Sequence, residues 1–194
     1  IPVDMNEVFG KLYNHALEGD ADCGGLISYN YISGEPVTGL AEGRPLFVRS
    51  ANDKFNLANF MRANLYASVG VLKIGNDILF NQEKIKVDRI TGHGGLFKTK
   101  GVGQRILAAA INSPISVMET AGEGGAWGIA LLASYLVKKA DNESLADFLD
   151  NKVFAGNTGI EIAPTPEDVE GFNKYIKEYQ SCLSIEKEAT IVKK

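Results

Sequence analysis

The residues best suited to chemistry in this sequence are glycines. Gly92-His93-Gly94-Gly95 follows the β-branched run VDRIT and leads toward GQRILAAAIN. Ala121-Gly122-Glu123-Gly124-Gly125 follows ISVMET and leads into AWGIALLASYLV. A glycine turn between a strand and a helix exposes several backbone N–H groups in one direction. The helix dipole adds partial positive charge there, so the place suits phosphate. Glycine also permits positive φ and close approach of a ligand to the main chain. Two such turns side by side could hold the phosphate and adenosine parts of one nucleotide, although each alone is equally an ordinary turn of an α/β protein. Neither is a P-loop, because no G-x-x-x-x-G-K-[ST] occurs, and Gly101-Val102-Gly103 lacks the third glycine of a dinucleotide fingerprint.

The side chains around these turns each carry two readings. Lys98 and Lys100 could reach phosphate or decorate a solvated turn. His93 could donate to a ligand or satisfy a backbone carbonyl, while His15 falls on a helix and reads as structural. Trp127 could flank an adenine or anchor a core. Glu123 could contact a ribose hydroxyl or cap the helix that follows it. No Ser-His-Asp set, HExxH or carboxylate cluster with metal spacing accompanies them, so the sequence offers a holder of ligand without an evident catalyst: no catalytic residue and no metal ligand is assigned.

The elements that must position these turns follow from periodicity. Strand, glycine turn and helix occur twice in succession between residues 87 and 137, which predicts a layered sheet with helices packed on it. Upstream, Asp4 with Glu7 reads as a capping box for a helix bearing Met5, Val8, Leu12 and Ala16 on one face, ended by Gly19. CGGLISYNYIS reads as a strand pair or a buried strand, and Leu46-Phe47-Val48 as a short strand. A long helix over about 54–81 carries Ala58, Met61, Leu65, Val69, Leu72 and Leu79. Ser144 with Asp147 opens a small helix ending near Phe154. Thr165-Pro166-Glu167-Asp168 is a strong helix start, with Val169, Phe172, Ile176, Tyr179 and Leu183 along the face behind it. Without a repeat or a long linker, residues 1–194 read as one domain.

Composition sets the outer bounds. With 45% hydrophobic and 23% charged residues, the chain can build one substantial core. A net charge of −4 with scattered Lys and Arg argues against nucleic acid as the partner. No apolar run approaches the roughly 20 residues of a membrane span. Cys23 and Cys182, with no CxxC and no histidine pair nearby, read as reduced thiols of a cytoplasmic protein.

Taken in order, these motifs resemble the C-terminal domain of the FGGY carbohydrate kinases, especially the xylulokinase and ribulokinase branch. In that family a triple-glycine loop precedes a helix, a short Pro-Val strand and a glutamate follow, and an A-G-A-x-G-A-A helix closes the set. Here Gly92, Gly94 and Gly95 match the loop, Pro114-Ile115 the strand, and residues 123–128 the last helix start. Tyr29-Asn30-Tyr31-Ile32-Ser33-Gly34-Glu35 matches the family's P-Y-L-S-G-E-R segment, with Pro36 where the family has arginine. The first loop is also longer than usual, so a divergent subgroup whose sugar need not be xylulose is implied.

The resemblance runs from about residue 4 to 185. It implies an actin-like (ribonuclease-H-like) ATPase domain with a mixed central sheet flanked by helices, both glycine turns opening on one edge. It further implies an ATP-dependent sugar kinase, with a pentulose such as xylulose as substrate, in which Gly92, Gly94, Gly95, Lys98, Gly122, Glu123, Gly124 and Gly125 bind ATP. The aspartate base, most of the sugar pocket and the main magnesium-binding acids belong to the family's N-terminal domain. The start at Ile1 and the missing base then predict a C-terminal half that is inactive alone, whose partners are ATP, the sugar and that N-terminal domain, with a homodimer left open. A non-catalytic nucleotide- or sugar-sensing module is the alternative.

Overall fold

The computed structural model describes residues 3–87, 89–156 and 159–192. Helix α1 (Met5–Ala16) is capped by the Asp4 carboxylate, which accepts the Asn6 N–H at 2.9 Å. It ends three residues before Gly19. That glycine serves a different purpose, since a Cβ there would lie 3.1 Å from the Ala58 carbonyl carbon. Strand β1 (Ile27–Tyr29), buried throughout, pairs antiparallel with β2 (Leu46–Val48) in a two-stranded ribbon. Helix α2 (Leu57–Asp77) begins at Asn56, whose side chain accepts the Asn59 N–H, and continues into a π turn over Ile78–Gln82.

A second, mixed sheet carries the glycine turns. Strand β3 (Ile90–Gly92) runs parallel to β4 (Ile115–Val117), joined through α3 (Val102–Ile111). Strand β5 (Ile160–Ile162), which no sequence signal announced, pairs antiparallel with β4. Gln104 on α3 explains this pairing. Its amide donates to the carbonyls of Ile115 at 2.9 Å and Ile160 at 2.8 Å, fastening both strands to one helix. Helix α4 (Gly124–Lys138) follows the second turn. Helix α5 (Leu145–Phe148), capped by Ser144, runs on as a π turn to Val153. Helix α6 (Pro166–Ser181) starts as expected, the Thr165 hydroxyl accepting the Asp168 N–H, and α7 (Leu183–Val192) completes the described chain.

The core lies where β1, α2, α3 and α6 meet. Tyr29, Tyr66, Phe172, Tyr175 and Tyr179 form its aromatic centre, with neighbouring rings 4.6–5.9 Å apart. The buried hydroxyls find partners: Tyr29 donates to the Tyr179 carbonyl, and Tyr179 donates to the Tyr31 oxygen at 2.6 Å. Along α2 and the π turn after it, Ala58, Leu65 and Val69 are buried, whereas Leu72 and Leu79 are exposed. At Gly70 helices α2 and α6 touch, and a Cβ added there would meet Ile176 and Tyr179 at 3.6 Å, ordinary van der Waals contact. Arg62 is clamped between Tyr66 and Asp168, an ion pair that links α2 to α6. Cys23 is buried, Cys182 is partly buried, and both are free thiols.

Candidate functional site: two glycine turns at one sheet edge

The two turns meet. Gly94 donates its N–H to the Ala121 carbonyl at 2.7 Å, so the end of β3 and the segment after β4 are held side by side. This geometry follows from parallel pairing, which brings the C-terminal ends of β3 and β4 to the same edge. The first turn is built as the sequence suggests. Gly94 has φ 103° and ψ −174°, a conformation open to glycine alone, and Gly95–Phe97 then form a tight 3-10 turn.

The second turn is not an open loop. Glu119–Glu123 coil into a 3-10 turn that passes directly into α4, and Gly124 and Gly125 are its first helical residues. Their backbone therefore lies in helical geometry, in the first turn of α4. The expected ribose contact of the Glu123 side chain falls outside the described residues.

The predicted glycines divide into two kinds. A Cβ on Gly92 would lie 2.3 Å from the Phe97 ring, which lies over the end of β3. A Cβ on Gly124 would come within 3.0 Å of His93 Nδ1, and one on Gly122 within 3.2 Å of the Lys98 stem. These three positions are glycine because a neighbouring side chain lies against the backbone. Gly94, Gly95 and Gly125 instead face open space, with nothing within 4 Å of an added Cβ. Lys98 is exposed, its aliphatic stem along Gly122, and it follows the turn by donating its N–H to the Gly95 carbonyl at 3.2 Å. Lys100 is exposed as well.

Beside the joined turns lies a cavity of about 520 Å³ lined by Thr91, His93, Met118, Trp127, Leu131 and Phe154, among others. Trp127 meets Phe154 edge to face, with ring centroids 5.6 Å apart. Trp127 is partly buried outside the main core, packs against an aromatic partner and walls a space next to the glycines. His93 lies across the Gly124 backbone and also faces the cavity. His15 on α1 pairs with Glu18, just past the end of that helix and far from this edge in sequence. The contributions of Phe97, Leu149 and Phe154 were invisible in the local sequence, because each arrives through packing of separate elements.

Chemically, the arrangement can hold a ligand through backbone, a lysine and an apolar wall. Among the described residues no group of three or more His, Cys, Asp or Glu is placed to hold a metal ion. Likewise, no described helix is long and apolar enough to cross a membrane.

A family model for the C-terminal domain of the FGGY family of carbohydrate kinases matches residues 6–137. The match ends at residue 137, in the last turn of α4 and short of the residue 185 to which the motif resemblance extends. No curated protein matches the sequence. Among solved structures, a ligand-bound xylulose kinase from Lactobacillus acidophilus is 21% identical, with a TM-score of 0.68 over 92% of this chain and 35% of its own. A gluconate kinase from the same organism is 21% identical, with a TM-score of 0.67 over 90% of this chain and 34% of its own. Plasmodium falciparum glycerol kinase with ADP is 18% identical, with a TM-score of 0.65 over 91% and 33%. The chain thus spans about a third of the length of each of these structures. The shared architecture is the actin-like ATPase fold, realised here as a small mixed sheet flanked by helices.

Proposed function

This chain belongs to the FGGY family of carbohydrate kinases, as its C-terminal domain, and from that premise we propose that it is the ATP-holding half of a sugar kinase. The observation that carries the reading is the hydrogen bond from Gly94 to Ala121, which puts both glycine turns at one sheet edge. Gly94, Gly95 and Gly125, which face open space, admit the nucleotide's phosphates to the main chain. Lys98 extends along Gly122 toward the same place. Gly92, Gly122 and Gly124 support it from behind, and Glu123 completes the set.

Phosphoryl transfer needs the attacking hydroxyl in line with the γ-phosphate, and its catalysis is mainly positioning and charge stabilisation. This half binds and orients ATP. A further domain of the same polypeptide brings the sugar, the aspartate that accepts the hydroxyl proton, and the acids for magnesium. Closure of the two around the substrates excludes water and limits wasteful hydrolysis of ATP. The similarity to xylulose kinases supports a pentulose as the sugar. A cytoplasmic location is part of this reading, supported by the free thiols Cys23 and Cys182.

Steady-state kinetics of the complete kinase test this. Gly95→Val or Gly125→Val puts a side chain into ligand space and should raise the ATP KM by about thirtyfold, or about 2 kcal/mol, with little change in sugar KM or melting temperature. Gly92→Val is the control: it drives a side chain into the Phe97 ring and should lower the melting temperature first. An unchanged ATP KM in Gly95→Val would return the turn to a purely structural role. The 194-residue chain alone should show no sugar-dependent ADP release.

A further inference from the structure

Helix α7 is anchored to the rest of the molecule by an acid. Of its residues only Glu186 is buried, while Ile185, Ile191 and Val192 are exposed. A surface helix ordinarily docks through an apolar stripe. Here one oxygen of the Glu186 carboxylate accepts the backbone N–H of Arg44, and the other has no partner among the described residues. Away from that contact the helix packs loosely. A cleft of about 320 Å³, lined by Leu40, Ala41, Lys187 and Thr190 among others, lies between it and the segment before Arg44.

We propose that α7 is a pH-gated latch: with Glu186 protonated the helix closes on the Arg44 peptide, and with Glu186 ionised it swings away into solvent. A neutral carboxyl still accepts the Arg44 N–H and leaves no charge in the interface, whereas an ionised one leaves a buried oxygen that neither protein nor water satisfies. The motion is confined to α7. Tyr179 on α6 donates to the Tyr31 oxygen at 2.6 Å and Phe172 and Tyr175 are buried, so α6 stays and the break falls at Cys182 between the two helices. The titratable groups that bear on Glu186 are Arg44, from the segment it docks on, and Tyr29 on β1, with Tyr31 and Cys182 beside that phenol. The Arg44 guanidinium is shared, donating to the Gly43 carbonyl at 3.0 Å and lying 4.0 Å from Glu42. Burial pushes the Tyr29 phenol up, and Cys182, Tyr31 and Glu186 add to that, so it is neutral. Burial likewise raises the Glu186 carboxyl, against the N–H and charge of Arg44. A raised value in the closed state means that closure is complete below the ordinary glutamate range and is lost as pH rises through the raised value.

Hydrogen exchange of the 194-residue chain, followed by mass spectrometry from acid to neutral pH and divided by the intrinsic rate at each pH, tests the latch without relying on turnover. Protection of the α7 amides should fall by about tenfold per pH unit above the ordinary glutamate range and level off beyond the raised value, as one coupled proton requires. Amides of α2 and α6 should keep their protection throughout. Glu186→Gln keeps an acceptor for Arg44 without a charge, and its α7 should stay protected at every pH. Glu186→Met, of similar length and equally uncharged, gives the same reading where the glutamine variant does not fold. Constant α7 protection in the parent would overturn the proposal, as would a parent-like pH response, or an α7 open at every pH, in the uncharged variant. Loss of protection in α2 and α6 in step with α7 would make the event a global unfolding and overturn it as well.

Discussion

Phe172 on α6 and Leu136 on α4 are both large apolar residues on helices, yet one is 0% exposed and the other 73%. Around Phe172, the helices α2, α3 and α6 enclose an aromatic centre whose hydroxyls are bonded and whose buried cation, Arg62, has its carboxylate. Around Leu136 the helix has apolar residues on both faces and a cavity behind it. The difference shows how one domain can divide its work. The first region is finished and supplies rigidity; the second is left open on the side where the turns and the cavity lie. A sheet edge supported from one side only can respond to what arrives on the other.

The comparison makes its largest prediction in paired truncations. Phe172→Ala should destabilise the chain by about 4 kcal/mol, through lost burial and the cavity left behind. Leu136→Ala should stay within about 0.5 kcal/mol in the same chain. Denaturant melts of the two variants decide the point, and comparable losses would erase the distinction between the regions.

The ion pair sharpens it next. Burial pushes the Asp168 carboxyl up, but hydrogen bonds from Thr165 and Arg62 and the Arg62 charge outweigh that and hold it below the ordinary aspartate range. A depressed folded value contributes stability that is present above the ordinary aspartate range and is lost as pH falls through the folded value. Arg62→Met leaves the carboxylate with Arg105 at 3.5 Å and should remove roughly 3 kcal/mol near neutral pH. The gap between variant and parent should narrow below the ordinary aspartate range. A gap that stays constant from pH 7 to strongly acid conditions would show that Arg62 acts by packing alone.

The smallest effect concerns a flaw in the packed region. Glu186 on α7 is fully buried, with one carboxylate oxygen accepting the Arg44 N–H and the other without a partner among the described residues. Burial raises its pKa, opposed by the Arg44 hydrogen bond and charge. A raised folded value means that Glu186's contribution is complete below the ordinary glutamate range and is lost as pH rises through the raised value. Glu186→Gln keeps an acceptor for Arg44 and removes the buried charge, so it should gain on the order of 1 kcal/mol at pH 7. The gain should fade in acid, where the parent carboxyl is itself protonated. A loss at pH 7 would mean that the charge is needed where it stands.

The sequence was informative wherever structure is set locally. Thr165, Pro166 and Asp168 announce α6 because cap, fixed φ and first-turn acid act within four residues. The repeat of β3, α3 and β4 was equally readable, and with it the edge where Gly94 meets Ala121. Distant partners account for the rest. Strand β5 is three residues, Ile-Glu-Ile, and its place depends on Gln104, 56 positions earlier. Gly124 and Gly125 read as loop because glycine disfavours helix, yet the preceding 3-10 turn carries them into α4. Nothing in the local sequence separates Gly92, whose α-carbon lies against the Phe97 ring, from Gly95, whose α-carbon faces open space. That separation is the part of the candidate site that needed three dimensions.

Trp127 is the sole tryptophan of the 194 residues, and it stands edge to face with Phe154 in the cavity wall. Light emitted on indole excitation therefore comes from one address, next to the joined turns. The emission colour of an indole follows the polarity around it, so filling the cavity, draining it of water or lifting the Phe154 ring would each register as a spectral change. The domain is in effect built with its own optical probe, and the wall beside the glycines can be followed in real time without attaching a dye.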